Sequence, residues 1–164
     1  LCKELIEKKK IYQDAYFNDI IIKNNLDVFF KKEFLTTENL KYLGNHELIE
    51  IGCHTHNHEN LKILDETEIN LDLKKSLNIL ENILQKKIFH FSIPYGSKNH
   101  FSNDTIKFIS KFNFKTVVTT EHGIYKRNLI NRIPRIGVGN LDLDERLNSK
   151  ALGLDSLINK LAQR

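Results

Sequence analysis

The sequence predicts an α/β chain in which a parallel sheet or barrel carries helices on its outside. Two observations support this. From about residue 47, segments with strand periodicity alternate with apolar stripes at helical spacing, in the order strand, helix, strand, helix, strand, loop, strand, helix. The first two of these strands also end in residues with chemistry to offer. The first runs into Ile51-Gly52-Cys53-His54-Thr55-His56-Asn57-His58 and the second into Pro94-Tyr95-Gly96. The carboxyl ends of strands are where (β/α) barrels build their active sites.

The elements follow in chain order. Leu1, Leu5, Tyr12, Tyr16 and Ile20 recur near helical spacing, so residues 1 to about 25 read as helix. Ile20-Ile21-Ile22 could continue that helix or form a short strand, and Asn24-Asn25 breaks it. Tyr12, Tyr16 and Phe17 could line a sugar-binding surface, but aromatics at this spacing favour the core. Thr36 or Thr37 caps a short helix through Leu40 and Leu43, which Gly44-Asn45 ends through the left-handed freedom of glycine. Glu47–Ile51 is the first strand. Asp65 with Glu68 makes a capping box for a helix carrying Ile69, Leu73, Leu77, Leu80 and Leu84 on one stripe, read as scaffold. Lys87–Ile93 is the second strand, with Ile88, His90 and Ser92 on one face and Phe89, Phe91 and Ile93 on the other. Asn103 or Asp104 caps a helix with Ile106, Ile109 and Phe112. Phe114–Thr120 is a β-branched strand, and Glu121-His122-Gly123 is the loop after it. Ile133–Val138, opened by Pro134, is the last strand, and Leu152, Leu157, Ile158 and Leu161 mark a closing helix. With no repeat and no low-complexity linker, residues 1–164 read as one domain, mainly helical over 1–46 and strand-and-helix over 47–164.

Composition narrows the function. Hydrophobic residues at 40% and charged residues at 28% over 164 positions suit a globular domain with a sizeable core. No apolar run reaches the ~18 residues of a membrane span. The formal charge of +4 comes from lysines scattered among acids, as in Lys3-Glu4, and the one run, Lys8-Lys9-Lys10, suits a solvated helix face, so nucleic acid is not the expected partner. Two cysteines, Cys2 and Cys53, give no disulfide framework. Strand alternation turns Cys53 away from the side of His54, which makes it a small buried filler. The oligomeric state is not legible.

The histidines carry the chemistry. Three of the seven, His54, His56 and His58, fall within five residues. Neutral imidazole is the commonest protein ligand for a transition metal. If the chain turns helically after the strand, His54 and His58 share a face. If it stays extended, His54 and His56 do. The conformation of Thr55 separates the two.

These residues resemble the polysaccharide deacetylase family, carbohydrate esterase family four with its NodB homology domain. Gly52 to Leu61 is similar to the family's second motif, His-Ser/Thr-x-x-x-His followed by Asn-Leu, and Phe91-Ser92-Ile93-Pro94-Tyr95-Gly96 to its third. Thr119-Thr120-Glu121-His122-Gly123 and Arg132 to Val138 resemble later landmarks, so the likeness runs from about Leu35 to the C-terminus. It implies a deformed (β/α) barrel of fewer than eight strands. It also implies removal of acetyl groups from N-acetylated sugars of a cell-surface polysaccharide or glycolipid, with a divalent metal, commonly zinc. His54 and His58 match the two metal histidines, and Thr55 a hydroxyl that orients ligands or substrate. The backbone N–H of Tyr95 matches the donor to the developing oxyanion. Pro94 and Tyr95 shape the substrate site, and Arg135 could hold an acidic group on the sugar. The chemistry is coherent: a metal lowers the pKa of water from about 15.7 to about 7, and a fixed N–H stabilises the oxyanion. His56 reads as a supporting or surface residue.

The sequence also departs from the pattern. The family's first motif is an Asp-Asp pair that supplies a general base and a third metal ligand. Residues 1–46 hold only Asp14, Asp19 and Asp27, none paired. No histidine follows His122, and Ser92 stands where the third motif commonly has arginine. The expectation is a barrel incomplete at its N-terminal strand, either part of a longer enzyme or an inactive relative. Two alternatives remain. One is a different metal hydrolase using His54-Thr55-His56, of the amidohydrolase or phosphoesterase type. The other is a catalytically inactive sugar-binding remnant.

Overall fold

The computed structural model describes residues 2–24, 34–125, 131–139 and 144–154. Their elements are α1 (Cys2–Ile6), α2 (Lys10–Lys23), α3 (Thr37–Gly44), a 3-10 turn (Leu61–Ile63), α4 (Glu66–Leu84), β1 (His90–Ser92), α5 (Asn103–Ile109), β2 (Thr116–Val118) and α6 (Asp144–Ala151).

β1 and β2 pair in parallel, with His90 opposite Thr116, Phe91 opposite Val117 and Ser92 opposite Val118. Single parallel bridges extend this ladder on both sides, Cys53 to Phe91 and Val118 to Ile133. Four extended segments therefore lie side by side in chain order, the arrangement that successive strand–helix units produce. One face of the sheet packs on α4 and α5. Phe91, Ile93, Val117 and Cys53 are buried there with Leu73 and Ile109. The other face opens as a groove of about 300 Å³ lined by Gly52, His54, His90, Ser92, Thr116 and Val118.

The strands are shorter than their sequence patterns. Glu47–Ile51 forms no ladder; pairing begins at Cys53, whose N–H donates to the His90 carbonyl at 2.7 Å. Leu48 and Glu50 are exposed while Ile49 and Ile51 are half-buried, Ile51 against the core, so the alternation sorts two faces although no strand pairs with it there. Lys87–Ile93 contracts to β1 and Phe114–Thr120 to β2. Ile133–Val138 contributes one bridge: Ile133 directs both its N–H and its carbonyl at the β2 segment, and the next donor on that side, the Arg135 N–H, goes to the Glu121 carbonyl instead.

α4 forms as its pattern predicts. Asp65 accepts from the Glu68 N–H at 2.8 Å and Glu68 accepts from the Asp65 N–H at 3.0 Å. Such a box stabilises a helix by roughly 1 kcal/mol. Ile69, Leu73 and Leu84 are buried, with Leu77 and Leu80 packed beside them. Thr36 caps α3 as one of the two predicted threonines. Ser102, not Asn103 or Asp104, caps α5; it boxes with Thr105 and leaves Asn103 inside the helix.

The N-terminal region is two helices rather than one. Lys9 is extended between them, and the buried Gln13 donates its amide to the Leu5 and Lys8 carbonyls at 3.0 and 2.8 Å, satisfying the end of α1. Ile20-Ile21-Ile22 continues α2. Tyr12 is 64% exposed and Phe17 50%, so these aromatics do not join the core. α6 ends before the predicted closing stripe; Leu152 is exposed, and Leu157, Ile158 and Leu161 lie outside the described residues.

Gly44 ends α3 for a reason other than the predicted one. It takes no left-handed angle but is buried, and a Cβ there would stand 2.5 Å from Leu84 Cδ2. The glycine lets α3 approach α4.

Candidate metal and active site

The chain leaves the Cys53 bridge and turns sharply. Thr55 has φ of +64° and His58 of +56°. A β-branched residue in the left-handed region costs on the order of 1–2 kcal/mol, so the surroundings must hold it there. α4 does so. Asp72 is only 6% exposed, and its two carboxylate oxygens accept the backbone N–H groups of His56 at 2.7 Å and Asn57 at 2.9 Å. One turn along, Ser76 donates to the Thr55 carbonyl at 3.1 Å and accepts from the Cys53 thiol at 3.4 Å. Burial pushes the Cys53 thiol pKa up, which suits a filler. Within the loop, Thr55 Oγ1 accepts from the His58 N–H at 3.0 Å. After it, the buried Glu59 accepts from the Lys10 N–H at 2.5 Å, a carboxylate at the amino end of α2.

The turn brings two imidazoles together. The ring centroids of His54 and His58 are 4.7 Å apart at 74°, and His58 in turn lies 4.7 Å from the Tyr95 ring. Thr55 is thus turn-like, the condition under which His54 pairs with His58. His56 is exposed, and the loop uses its backbone N–H. His54 Nδ1 lies 2.7 Å from the Ser92 carbonyl, an acceptor, so Nδ1 carries a proton and in the neutral ring Nε2 keeps its lone pair. Ser92 supplies that acceptor from its backbone, so its side-chain identity does not matter for this contact. Burial first, and then the neighbouring His54, lowers the His58 pKa below the usual histidine value, a shift toward the neutral ring that a metal requires.

Pro94-Tyr95-Gly96 forms the opposite wall. Tyr95 has φ of +58° and Gly96 of +66°. The segment after β2 pins the bend: the Thr120 N–H donates to the Gly96 carbonyl at 2.8 Å and Thr120 Oγ1 to the Tyr95 carbonyl at 2.7 Å. Among the described residues the Tyr95 N–H has no acceptor. A Cβ on Gly96 would meet the Thr120 backbone nitrogen at 2.7 Å. Gly96→Ala therefore combines a left-handed angle with a backbone clash and is expected to lower stability by about 2 kcal/mol or more, measured as a shift in urea midpoint. A midpoint within error of wild type would refute this account of the bend.

Beyond β2, Arg132 grips Glu121 with Nε and Nη2, both at 2.6 Å. This hydrogen-bonded pair lowers the Glu121 pKa below the ordinary carboxylate range. A carboxylate depressed on folding stabilises the native state above its unfolded pKa, and that contribution is lost as pH falls through the folded value. The urea midpoints of wild type and Glu121→Gln are thus expected to differ at pH 7 and to converge in acid below the lowered pKa. Arg135 sits nearby, with Nε on the Thr119 carbonyl at 2.7 Å and its N–H on the Glu121 carbonyl at 2.9 Å.

Of the predicted site residues, His54, Thr55, His58, Pro94 and Tyr95 therefore converge, while Arg135 is fastened to the end of β2. The sequence reading missed Asp72 and Ser76, having taken their helix for scaffold alone. The available signal was a carboxylate and a hydroxyl sharing the stripe of Ile69 and Leu73. The donor set suits a divalent ion, with two imidazoles side by side. Among the described residues no group of three or more His, Cys, Asp or Glu side chains completes it.

The family model described as polysaccharide deacetylase matches residues 5–117. The chain belongs to the polysaccharide deacetylase family. The match begins earlier than Leu35 and stops before the later landmarks at Thr119–Gly123 and Arg132–Val138, while spanning the histidine loop and the Pro-Tyr-Gly bend. No curated protein matches the chain significantly. Among solved structures, the deacetylase PplD of Streptococcus pyogenes in complex with acetate is 21% identical, with a TM-score of 0.64 over 77% of this chain and 54% of the other. IcaB from Ammonifex degensii is 19% identical, with a TM-score of 0.62 over 74% and 56%. A polysaccharide deacetylase from Bacillus cereus is 21% identical, with a TM-score of 0.59 over 71% and 36%. The chain thus spans about half the length of the first two. At these identities the likeness establishes the fold: part of a deacetylase-type barrel, whose arc is the row of parallel segments described above.

Proposed function

We propose that the chain carries the metal-binding and oxyanion side of a deacetylase site that removes acetyl groups from N-acetylated sugars of a cell-surface polysaccharide or glycolipid. The observation that carries this reading is the pair of adjacent imidazoles, His54 and His58, set against the Pro-Tyr-Gly bend. His54 through Nε2, and His58 through a ring nitrogen, would hold a divalent ion, with zinc the first choice for imidazole. When bound, that ion supplies a Lewis acid for the acetyl carbonyl and acidifies a water molecule. The chain's own residues do the rest. Thr55 Oγ1 holds the His58 backbone and the Ser92 carbonyl holds the His54 ring, so neither imidazole has to reorganise. The Tyr95 N–H, fixed by the bend, donates to the oxyanion as the carbonyl becomes tetrahedral; such a donor contributes about 2.7–4 kcal/mol. Arg135, exposed at the end of β2, is the candidate for an acidic group on the sugar.

The turn-like Thr55 supports this reading over a His54–His56 hydrolase. Catalytic zinc commonly takes three protein ligands plus water. Asp14 and Asp19 pair with Lys10 and Lys23 along the surface of α2, and Asp72 is occupied by the loop. Turnover therefore depends on a further ligand and a base beyond the pair described. The test is acetate release from N-acetylated oligosaccharides with added zinc. Release that is zinc-dependent and lost in His54→Ala supports the assignment. Release that His54→Ala leaves unchanged overturns it.

A further inference from the structure

The two edges of the sheet differ. On the far side Ile133 turns its N–H and carbonyl inward, to the Val117 carbonyl at 2.8 Å and the Thr119 N–H at 2.9 Å, so the next residue faces out. That residue is Pro134, which has no N–H to offer, a common way of blocking an edge. The near edge carries no such block. Cys53 directs its N–H and carbonyl to β1, at 2.7 and 2.9 Å, which turns those of Gly52 and His54 outward. The alternation continues back to Glu50, which lines the same groove as Gly52 and His54. The backbone N–H and carbonyl groups of Glu50, Gly52 and His54 meet no partner among the described residues. The Glu50 side chain is exposed and forms no ion pair among them.

An open edge is a template for another strand. This one is complementary to itself when read in the opposite direction. About a twofold axis at Gly52, Gly52 meets Gly52, and Glu50 meets His54 at both ends. These are the residues whose N–H and carbonyl groups face outward, so each falls in a hydrogen-bonded pair, with Cα atoms about 5.5 Å apart. Sliding the register to set Glu50 against Gly52 loses the match of carboxylate to imidazole. Resting on the deacetylase reading above for its metal, we propose that a second copy of this chain adds to this edge, antiparallel about that axis, and contributes its Glu50 carboxylate to the His54–His58 pair. Side chains of paired residues share a face, so each carboxylate stands beside His54 of the other copy. The histidines thereby gain the carboxylate that their own chain does not supply among the described residues, and zinc takes carboxylate beside imidazole. A second groove, of about 240 Å³, flanks the same edge on the α4 side, with the 40%-exposed Ile79 in its wall, and joining the two sheets covers it.

The test is sedimentation equilibrium of the full chain over a range of concentrations without zinc, with circular dichroism showing that each variant is folded. Wild type is expected to reach a dimer and no larger species, because a twofold pairing closes. Glu50→Lys and His54→Glu each mismatch both ends of the pair, and each alone is expected to weaken self-association about tenfold. Mixed in equal amounts they set Lys against Glu at one end and leave Glu against His at the other. The mixture is therefore expected to regain association within about threefold of wild type, a recovery that general damage to either variant does not give. With zinc added, a chelating dye is expected to report an affinity about tenfold lower in Glu50→Gln, a change at an exposed side chain. A wild type that stays monomeric throughout, or a mixture no better than its parts, refutes the pairing while the deacetylase reading stands on its own zinc binding. A dimer whose Glu50→Gln variant holds zinc as wild type does refutes the shared site. A chain that binds no zinc in any state removes the deacetylase reading and the shared site together, whatever the sedimentation shows.

Discussion

Replacing His58 by alanine is expected to weaken zinc binding by this chain about 100-fold or more, and His54→Ala by a similar factor, while His56→Ala stays within about twofold of wild type. Even a residue that only supports a ligand contributes about 10–100-fold to metal affinity, so loss of a ligand sets that range as a floor. The pair presents two imidazoles with ring centroids 4.7 Å apart, and removing either leaves a single donor. His56 differs because the loop uses only its backbone, through Asp72. Competition with a chelating indicator dye measures all three. Equal losses for His54→Ala and His56→Ala, with His58→Ala unaffected, would transfer the site to the His-x-His hydrolase reading.

Asp72→Ala is expected to destabilise the fold by about 3–5 kcal/mol and to abolish zinc binding together with it. The carboxylate is buried and accepts two backbone N–H groups, each a charge-assisted bond of about 1.5–3 kcal/mol. Deletion leaves both donors unpaired and removes the clamp that keeps Thr55 left-handed. Asp72→Asn retains one acceptor oxygen, but its amide group faces the second N–H, so it falls between alanine and wild type. Urea titration followed by circular dichroism gives the stabilities, and the dye assay gives the metal affinity. A variant with wild-type midpoint and wild-type zinc affinity would refute the account of Asp72 as the residue that shapes the loop.

Local signals were legible where the chain makes its own partners. The Asp65 box, the Thr36 cap and the Ile69–Leu84 stripe are contacts between residues three or four apart, which spacing alone specifies. The strands were less legible because pairing depends on what lies alongside. Leu48-Ile49-Glu50-Ile51 alternates like a strand, yet the ladder starts at Cys53, opposite β1. Gly44 was given the right position for the wrong reason, since its contact is with Leu84, forty residues away. The exposure of Tyr12 and Phe17 was equally hidden, because helical spacing does not say whether a second surface meets the helix.

By itself the sequence determined the residue types and the order of the site: histidines after one strand position, a Pro-Tyr-Gly bend after the next, and helices between. Only the tertiary structure decided which histidines meet. The left-handed turns at Thr55 and His58 are costly alone. They persist because Asp72 and Ser76, on a helix that follows the loop in the chain, hold its backbone in place. A conformation held by distant partners leaves no mark on the spacing of the residues that adopt it.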